Sequence, residues 1–443
     1  MTTLIAEADK PHRTLAPASM SLDSFPPELI EHIVECIPNA ADLRTAALVH
    51  PVFLPWVRTA VFGTIRLTQA NVYAFRKLVD TCPDVIPYIR TLNIPVIGGR
   101  FTTGATVGAG TLAKLTAMTR LKAHADPFDF RNLSAWERAN LREGVKGLIS
   151  VELMIDKLYP LPYWATLLDS CSALEHLDVQ TDSNGWGMWT SQEVQIAIPK
   201  AEQSLAGRMR LRSLSIAGDV KLLTPLAAWL LPRGALNHLY SLELDVYYLY
   251  DEYGNATEDR RLPLVRAVMP NVRELTLHLD PPMPLDSASG HISLSAFPQL
   301  QTLYMRDGPD AELPLSLTWL ASFLSLPPRT QHPALQYITL DHSILRRDLL
   351  SVPHATWVAL ENSLINSDSD AAEPPLPALK SLTFANPHKF SGNHPDSVPA
   401  EERVWFEEHV GDRMPRIAEV GVLKFGGDVN ALRERMWGRG MVN

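Results

Sequence analysis

Residues 270–277 read PNVRELTL, a proline followed by apolar residues at the third, sixth and eighth positions of the unit. Leu275 and Leu277 are separated by a polar residue, and this period of two is typical of a strand with one buried face. The chain contains 35 prolines, which would produce about one such unit by chance. Six units are present, and they begin at Pro87, Pro270, Pro298, Pro333, Pro377 and Pro415. The unit therefore predicts a strand that recurs along the chain.

The same apolar spacing without proline fills the middle of the chain. Ile89 and Ile417, equivalent positions of the first and last units, are 328 residues apart over ten steps, so the mean step is close to 33. Apolar residues at helical spacing precede many of the predicted strands, for example at Leu317, Leu320 and Leu324. Parallel strands need crossover connections, which are usually helices. The pattern therefore predicts an α/β fold with one parallel sheet rather than separate globular domains.

This strand-and-helix unit resembles an irregular leucine-rich repeat, although regular repeats have roughly 20 to 29 residues. The resemblance implies a curved solenoid with the sheet on the concave side and the helices outside.

Composition limits the class of protein. Lys and Arg number 40 and Asp and Glu 49, which gives a net charge of −9 and argues against a general nucleic-acid-binding surface. The three cysteines cannot form a disulfide framework, and no CxxC pair suggests zinc, so we expect a reducing compartment, cytoplasmic and/or nuclear. The longest conspicuous uncharged stretch, 313–328, is 16 residues long and holds three prolines, so we expect no membrane contact.

No spacing typical of a catalytic site occurs in the chain. We find no GxSxG, GxxxxGK[ST], HExxH, GxGxxG or EF-hand pattern. His388, His394 and Asp396 share one segment, but their spacing matches no standard metal site. We therefore expect no enzyme activity, no cofactor and no metal. An enzyme of unrecognised type stays open as a weaker hypothesis, supported only by that segment.

Residues 22–67 form a different block, LDSFPPELIEHIVECIPNAADLRTAALVHPVFLPWVRTAVFGTIRL. Apolar residues at helical spacing predict a first helix that ends before Pro38. A second helix, with Asp42 as its predicted N-cap, ends before Pro51, and a third covers 53–62. Three short helices give a small core, so apolar positions at their surface could be covered by a partner.

The block resembles the F-box motif. The family pattern is a Leu-Pro start, a Glu-Leu/Ile helix, a Leu-Pro break, an Asp-Leu second helix, and a Val followed four residues later by an aromatic residue. The matching positions are Phe25-Pro26, Glu28-Leu29-Ile30, Ile37-Pro38, Asp42-Leu43, and Val49 with Phe53. Phe25 replaces the usual Leu and Phe53 the usual Trp, and both keep apolar bulk.

The resemblance implies a substrate receptor of an SCF-type cullin-RING ubiquitin ligase. Its partners would be a Skp-family adaptor, through it a cullin-RING assembly, and an unknown client protein. The implied domains are a disordered lead-in at 1–20, an F-box-like bundle at 21–68 and the repeat array at 69–443. The alternative is a leucine-rich-repeat interaction scaffold without a ligase role, in which the helices only cap the array.

Two sets of contact residues follow from this hypothesis. The adaptor-binding set is Pro26, Leu29, Ile30, Ile33, Ile37, Pro38, Leu43, Val49 and Phe53. Residues between the apolar strand positions face the other side of the sheet, which is the expected client side. The client-binding set is Asp178, Glu243, His278, Tyr304, Arg306, Tyr337 and Asp341, with Tyr304, Arg306 and Tyr337 as anchors. Acidic residues near the anchors would favour a client segment with Lys or Arg, and they are Glu243, Asp245, Glu274 and Asp341.

Overall fold

The computed structural model describes most of the chain as a series of segments. The described residues are 22, 25–68, 70–94, 108–124, 134–155, 161–181, 209–218, 222–245, 262–279, 293–307, 313–326, 330–341, 346–365, 374–385 and 400–426. The predicted lead-in at 1–20 and the segment with His388, His394 and Asp396 lie outside these residues.

Twelve strands within the described residues form one sheet. They are β1 Thr64–Arg66, β2 Thr91–Ile94, β3 Arg120–His124, β4 Ser150–Ile155, β5 His176–Thr181, β6 Ser213–Ala217, β7 Ser241–Asp245, β8 Glu274–Leu279, β9 Thr302–Asp307, β10 Tyr337–Asp341, β11 Ser381–Ala385 and β12 Leu423–Phe425. The strand order is the sequence order from β1 to β12, and every pairing is parallel. The predicted α/β class and parallel sheet are confirmed.

Helices occur in the segments between the strands and before the sheet. They are α1 Pro27–Glu35, α2 Ala40–Val49, α3 Leu54–Phe62, α4 Val72–Thr81, α5 Ala109–Lys114, α6 Ala135–Val145, α7 Leu161–Leu168, α8 Leu223–Leu230, α9 Leu262–Val268, α10 Leu313–Leu324, α11 Arg346–Ser351, α12 His354–Leu364, α13 Ala400–Arg413 and α14 Pro415–Val420. Among these helices, which come from the described residues only, none is long and apolar enough to cross a membrane.

The strand starts repeat one hydrogen-bond pattern. The backbone N–H groups of Arg273 and Glu274 both donate to the carbonyl oxygen of Tyr240, at 2.8 and 3.0 Å. One strand later, the N–H groups of Gln301 and Thr302 donate in the same way to the carbonyl oxygen of Arg273, at 2.7 and 2.9 Å. The two consecutive polar residues at the starts of β8 and β9 therefore have their backbone donors satisfied.

One continuous core lies between the helices and the apolar face of the sheet. Each strand contributes the alternate residues of the period-two pattern, such as Leu275 and Leu277, and both are fully buried. The helices contribute large side chains, including the fully buried Trp164, Trp229 and Trp357. A row of leucines at the same register stacks from strand to strand, because adjacent strands are only about 4.8 Å apart.

The last proline unit does not form a strand as predicted. Residues from Pro415 to Val420 form α14, which ends at Gly421 with a φ of 75°. Proline is favoured in the first turn of a helix, and glycine is favoured at a helix end where the residue itself is left-handed, as at Gly421. The strand comes later, at Leu423–Phe425, where the two-residue alternation is short.

The three N-terminal helices have a small core of their own. Ile30 and Val34 of α1 pack with Phe53 and Val57, separately from the main core. The predicted helices are present, but the N-cap of α2 is Asn39, whose side chain accepts from the N–H of Asp42 at 2.8 Å. The predicted cap at Asp42 was therefore wrong, because Asn39 precedes it at the position where a side chain reaches the free N–H groups.

The sheet begins inside the range that was predicted for the helical bundle. β1 covers Thr64–Arg66 and pairs with β2, directly after α3 ends at Phe62. The guanidinium of Arg58 on α3 lies over the ring of Tyr88, with 5.7 Å to the centroid. The helices are thus joined to the sheet without a linker.

Candidate functional site

Helix α1 has apolar residues on two faces. Ile30 and Val34 point into the small core and are buried. Leu29 and Ile33, four residues apart and therefore on one side of the helix, are 48% and 43% exposed. A core of this size needs only one face of α1, so the second face leaves apolar surface in water.

The remaining adaptor-binding candidates divide by burial. Ile30 and Phe53 belong to the core of the bundle, so they support the surface without forming it. Ile37 and Leu43 are half-buried, whereas Pro26, Pro38 and Val49 are exposed. Leu48 and Leu54 are also exposed, and the motif comparison missed them because the motif describes neither position. Two leucines at the end of α2 and the start of α3 could have been recognised in the sequence as further apolar contact residues.

The side of the sheet opposite the core is mainly polar, and we call it the polar face. Its residues form two ladders across neighbouring strands. The first ladder, at the strand starts, is Ser150, His176, Ser213, Ser241, Glu274, Thr302, Tyr337 and Ser381. The second, two residues further along, is Lys122, Glu152, Asp178, Ser215, Glu243, Thr276, Tyr304, Thr339 and Thr383.

Acidic residues are concentrated in the second ladder from β4 to β7. Glu152 forms an ion pair with Lys122 on the neighbouring strand. Asp178 Oδ2 accepts a hydrogen bond from Gln180 Nε2 at 2.9 Å. Burial, together with the negative charges of Glu243 and Glu152, raises the pKa of Asp178 to about 7. In the second ladder from β3 to β7 the acidic side chains Glu152, Asp178 and Glu243 therefore outnumber the one basic side chain, Lys122.

The client candidates on β7 and β8 are linked to each other. His278 Nε2 lies 2.5 Å from Glu243 Oε1, a hydrogen bond between adjacent strands. Burial lowers the pKa of His278, but the hydrogen bond and charge of Glu243, with the charge of Asp245, outweigh it, so the pKa is raised above 6.5. Asp245 Oδ2 accepts from the N–H of Gly218 at 2.6 Å. The His278–Glu243 and Gly218–Asp245 hydrogen bonds therefore link neighbouring strands, in addition to placing charged groups on the polar face.

The three predicted anchors differ in their surroundings. Tyr304 is only 4% exposed, and its hydroxyl donates to Asp341 Oδ2 at 2.6 Å. Tyr337 is exposed, and Lys380 Nζ lies 5.6 Å from the centroid of its ring. Arg306 is half-buried beside His278 on the next strand. The structure brings all three onto adjacent strands, but Tyr304 and Asp341 are satisfied internally and offer little surface to a client.

A groove that sequence reasoning missed lies at the starts of β7, β8 and β9. Its volume is about 510 Å³. The polar residues that line it include Tyr240, Asn271, Arg273, Glu274, Gln299 and Gln301. Glu274 is shared between this groove and the first ladder of the polar face. The signal in the sequence was the recurrence of amide and charged residues just before each strand.

Five polar atoms on four consecutive strands are buried without a hydrogen-bond partner in the described part of the chain. They are His176 Nδ1 and Asp178 Oδ1 on β5, Ser213 Oγ on β6, Ser241 Oγ on β7 and Glu274 Oε2 on β8. Burial lowers the pKa of His176, so its ring is neutral at pH 7, and burial raises the pKa of Glu274. A buried polar atom without a hydrogen bond costs about 1 to 3 kcal/mol of stability. Hydrogen-bond donors from a bound ligand would therefore stabilise these five atoms.

Among the described residues, no group of three or more His, Cys, Asp or Glu side chains could hold a metal ion. In comparisons with known proteins, the chain matches no family model and no curated sequence. The exposed apolar face of α1 and the polar face of the sheet are therefore assigned from their geometry and chemistry.

Proposed function

We propose that this protein is an F-box-type substrate receptor of a cullin-RING ubiquitin ligase, with an irregular leucine-rich-repeat array that binds the client. The exposed pair Leu29 and Ile33 on α1 is the observation that carries the proposal. The order and spacing of the motif residues in 25–53 support it, as does the repeated strand-and-helix architecture of the rest of the chain.

The second apolar face of α1 gives the adaptor contact its physical basis. Transfer of apolar surface out of water contributes about 25 cal/mol per Å², so two large side chains that are half-exposed give a partner a substantial gain on binding. The exposed Val49 and Leu54 add apolar surface on the other two helices of the same small bundle. A Skp-family adaptor would cover this surface.

The sheet would supply the second function, which is to hold the client. Its polar face runs across twelve strands and is rigid, because each strand is paired and backed by the continuous core. A receptor of this kind contributes no covalent chemistry. It raises the effective concentration of a client lysine near the ubiquitin-carrying enzyme, and proximity alone can account for large rate gains.

The proposal is tested by the double substitution Leu29→Glu/Ile33→Glu and a pull-down of purified Skp-family adaptor. We expect binding to fall by at least about tenfold, since a buried anchor typically costs about 2 kcal/mol or more when it is lost. The matched control is Val404→Glu/Val420→Glu, which changes two exposed valines on α13 and α14 by the same chemistry. This control should bind adaptor like the wild type.

Adaptor binding that is unchanged in a folded Leu29→Glu/Ile33→Glu protein would refute the proposal. If the wild-type protein binds no adaptor but copurifies with other proteins, the interaction-scaffold alternative replaces it. Circular dichroism and thermal midpoint establish that each variant is folded.

A further inference from the structure

The unpartnered atoms of the polar face occupy one line across the sheet. His176, Ser213, Ser241 and Glu274 are register neighbours on β5, β6, β7 and β8, and Asp178 is two residues along β5 from His176. Ser213 and Ser241 are each 1% exposed and lie between the two carboxylates. The Ser241 hydroxyl acts on Glu274 and the Ser215 hydroxyl on Asp178, where each lowers the pKa of the carboxyl group, so the buried and unpartnered Ser213 hydroxyl is the observation independent of the acidic residues.

The chemistry of these atoms specifies what would satisfy them. When ionised, the two carboxyl groups only accept hydrogen bonds, while the serine hydroxyls and the neutral imidazole can accept or donate. A ligand rich in N–H donors would satisfy every one of them. Arginine, with five donors in a planar fork, and lysine, with three, are the side chains that provide such donors together with positive charge.

The charges around the line favour a cation. Both groups whose charges act to raise the pKa of Asp178, namely Glu243 and Glu152, are negative. Arg212, which lies close to His176, is paired with Glu175 at 3.5 Å. A cation that approaches Asp178 would therefore meet the unpartnered Oδ1 beside two acidic side chains, of which Glu152 is paired with Lys122 and Glu243 with His278.

Spacing defines the shape of the ligand. From β5 to β8 there are three inter-strand steps of about 4.8 Å, or about 14 Å, and Asp178 lies two residues, about 7 Å, further along its strand than the register partner of Glu274, so the two Cα atoms are about 16 Å apart. An extended peptide advances about 3.3 Å per residue, so two residues four positions apart are about 13 Å apart and point to the same side, and the long side chains of Lys and Arg cover the remaining distance. The groove at the starts of β7–β9 opens beside Glu274, and Asn271, Gln301 and Arg273 supply donors for peptide carbonyl groups there.

We propose that β5–β8 bind an extended client segment with two basic side chains four residues apart, one on Glu274 and the other on Asp178. The buried Ser213 and Ser241 lie between these two positions. The inference rests on the proposed role as a substrate receptor and names the chemistry of its client. It also moves the main contact from the Tyr304 region to the neighbouring strands.

The test uses the full-length protein and short capped peptides of Gly, Ser and Ala with two arginines four residues apart. Fluorescence anisotropy at an ionic strength of about 0.15 M measures the affinity. Replacement of both arginines by citrulline, which keeps the shape but removes the charge, is expected to weaken binding by at least about tenfold. A peptide with arginines three residues apart, which point to opposite sides, should also bind more weakly.

The matching protein variant is Asp178→Asn/Glu274→Gln, which is expected to bind the arginine and citrulline peptides equally. Each single variant should lose discrimination at only one of the two arginine positions. The control is Asp412→Asn/Glu419→Gln, which removes the same charge from exposed positions of α13 and α14 and should behave like the wild type. Thermal midpoints confirm folding of every variant.

Three outcomes would overturn the inference. They are no binding of the arginine peptide by the wild type up to about 1 mM, equal binding of the arginine and citrulline peptides, or an equal loss in the control variant. Adaptor pull-down with the wild type and with Asp178→Asn/Glu274→Gln keeps the two proposals apart. A wild-type protein that binds the adaptor but not the arginine peptide would reject only the basic-segment site, and a wild-type protein that binds the peptide but no adaptor would reject only the receptor role.

Discussion

Asp178 shows how one residue connects the fold with solution behaviour. Its pKa is raised from 3.8 to about 7 by burial and by Glu243 and Glu152, so the folded state holds a proton more tightly than the unfolded state. The resulting stabilisation is fully present below pH 3.8 and is lost as the pH rises through about 7. The contribution of Asp178 to the free energy of unfolding should therefore fall as the pH rises from 3.8 to about 7.

Asp178→Asn should remove this part of the pH dependence, because the amide is neutral at every pH and retains an acceptor for Gln180. We expect the free energy of unfolding of the variant, relative to wild type, to rise by more than about 1 kcal/mol between pH 5 and pH 8. Urea denaturation at the two pH values measures it. Asp412→Asn, at an exposed position, is the control and should follow the wild type, and a parallel result for Asp178→Asn would contradict the assignment.

Residue-level predictions from the sequence succeeded where local alternation decides the outcome. Leu275 and Leu277 are buried as the period of two requires. Tyr304 occupies an outward position, yet it is buried in a cluster with Ala385 of β11, and its hydroxyl donates to Asp341 on the adjacent strand. Tyr304 and Asp341 are 37 positions apart, so their contact depends on the register of neighbouring strands, which one repeat does not specify.

At the scale of elements, helices α5 and α6 pack unusually closely. A Cβ atom at Gly144 of α6 would lie 2.6 Å from the backbone carbon and oxygen of Leu112 on α5. Backbone atoms cannot turn away as a flexible side chain can, so any larger residue must separate the two helices. Glycine at this position is therefore required by packing, although glycine normally weakens a helix.

Gly144→Ala should lower the free energy of unfolding by about 1 to 3 kcal/mol, the range typical of overpacking. Gly411→Ala in α13, where a Cβ atom would meet nothing within 4 Å, should instead raise it by up to about 1 kcal/mol. Chemical denaturation of both variants measures the difference. A rise in the free energy of unfolding at both positions would show that helix propensity rather than close packing controls position 144.

The limits of sequence reasoning at this scale are clear at α14. Pro415, Ile417, Val420 and Val422 satisfy the strand unit, but the segment forms a helix up to Val420. The three apolar positions that follow the proline are too few to distinguish the two periods over so short a segment, and the capping glycine at 421 favours the helix. The strand that completes the sheet, β12, has only three residues and carried too little pattern to be recognised.

For the whole molecule, each strand pairs only with its neighbours in sequence, so stability depends on successive interfaces. The end strands β1 and β12 have three residues each and one neighbour each. Hydrogen exchange followed by mass spectrometry should therefore show the lowest protection in β1 and β12 and the highest in β5–β10. Uniform protection across the twelve strands would indicate a single cooperative unit instead.

The sequence by itself determined the strand-and-helix class, the parallel sheet and the three N-terminal helices. These follow from short-range periodicity, proline positions and caps, which act within one repeat. Only the tertiary structure decided which outward residues are available, because availability depends on neighbours in the ladder: Tyr304 is buried and donates to Asp341, while Asp178 and Glu274 keep unpartnered oxygens. The two faces of α1 are distinguished in the same way, since the small core accepts Ile30 and leaves Leu29 in water.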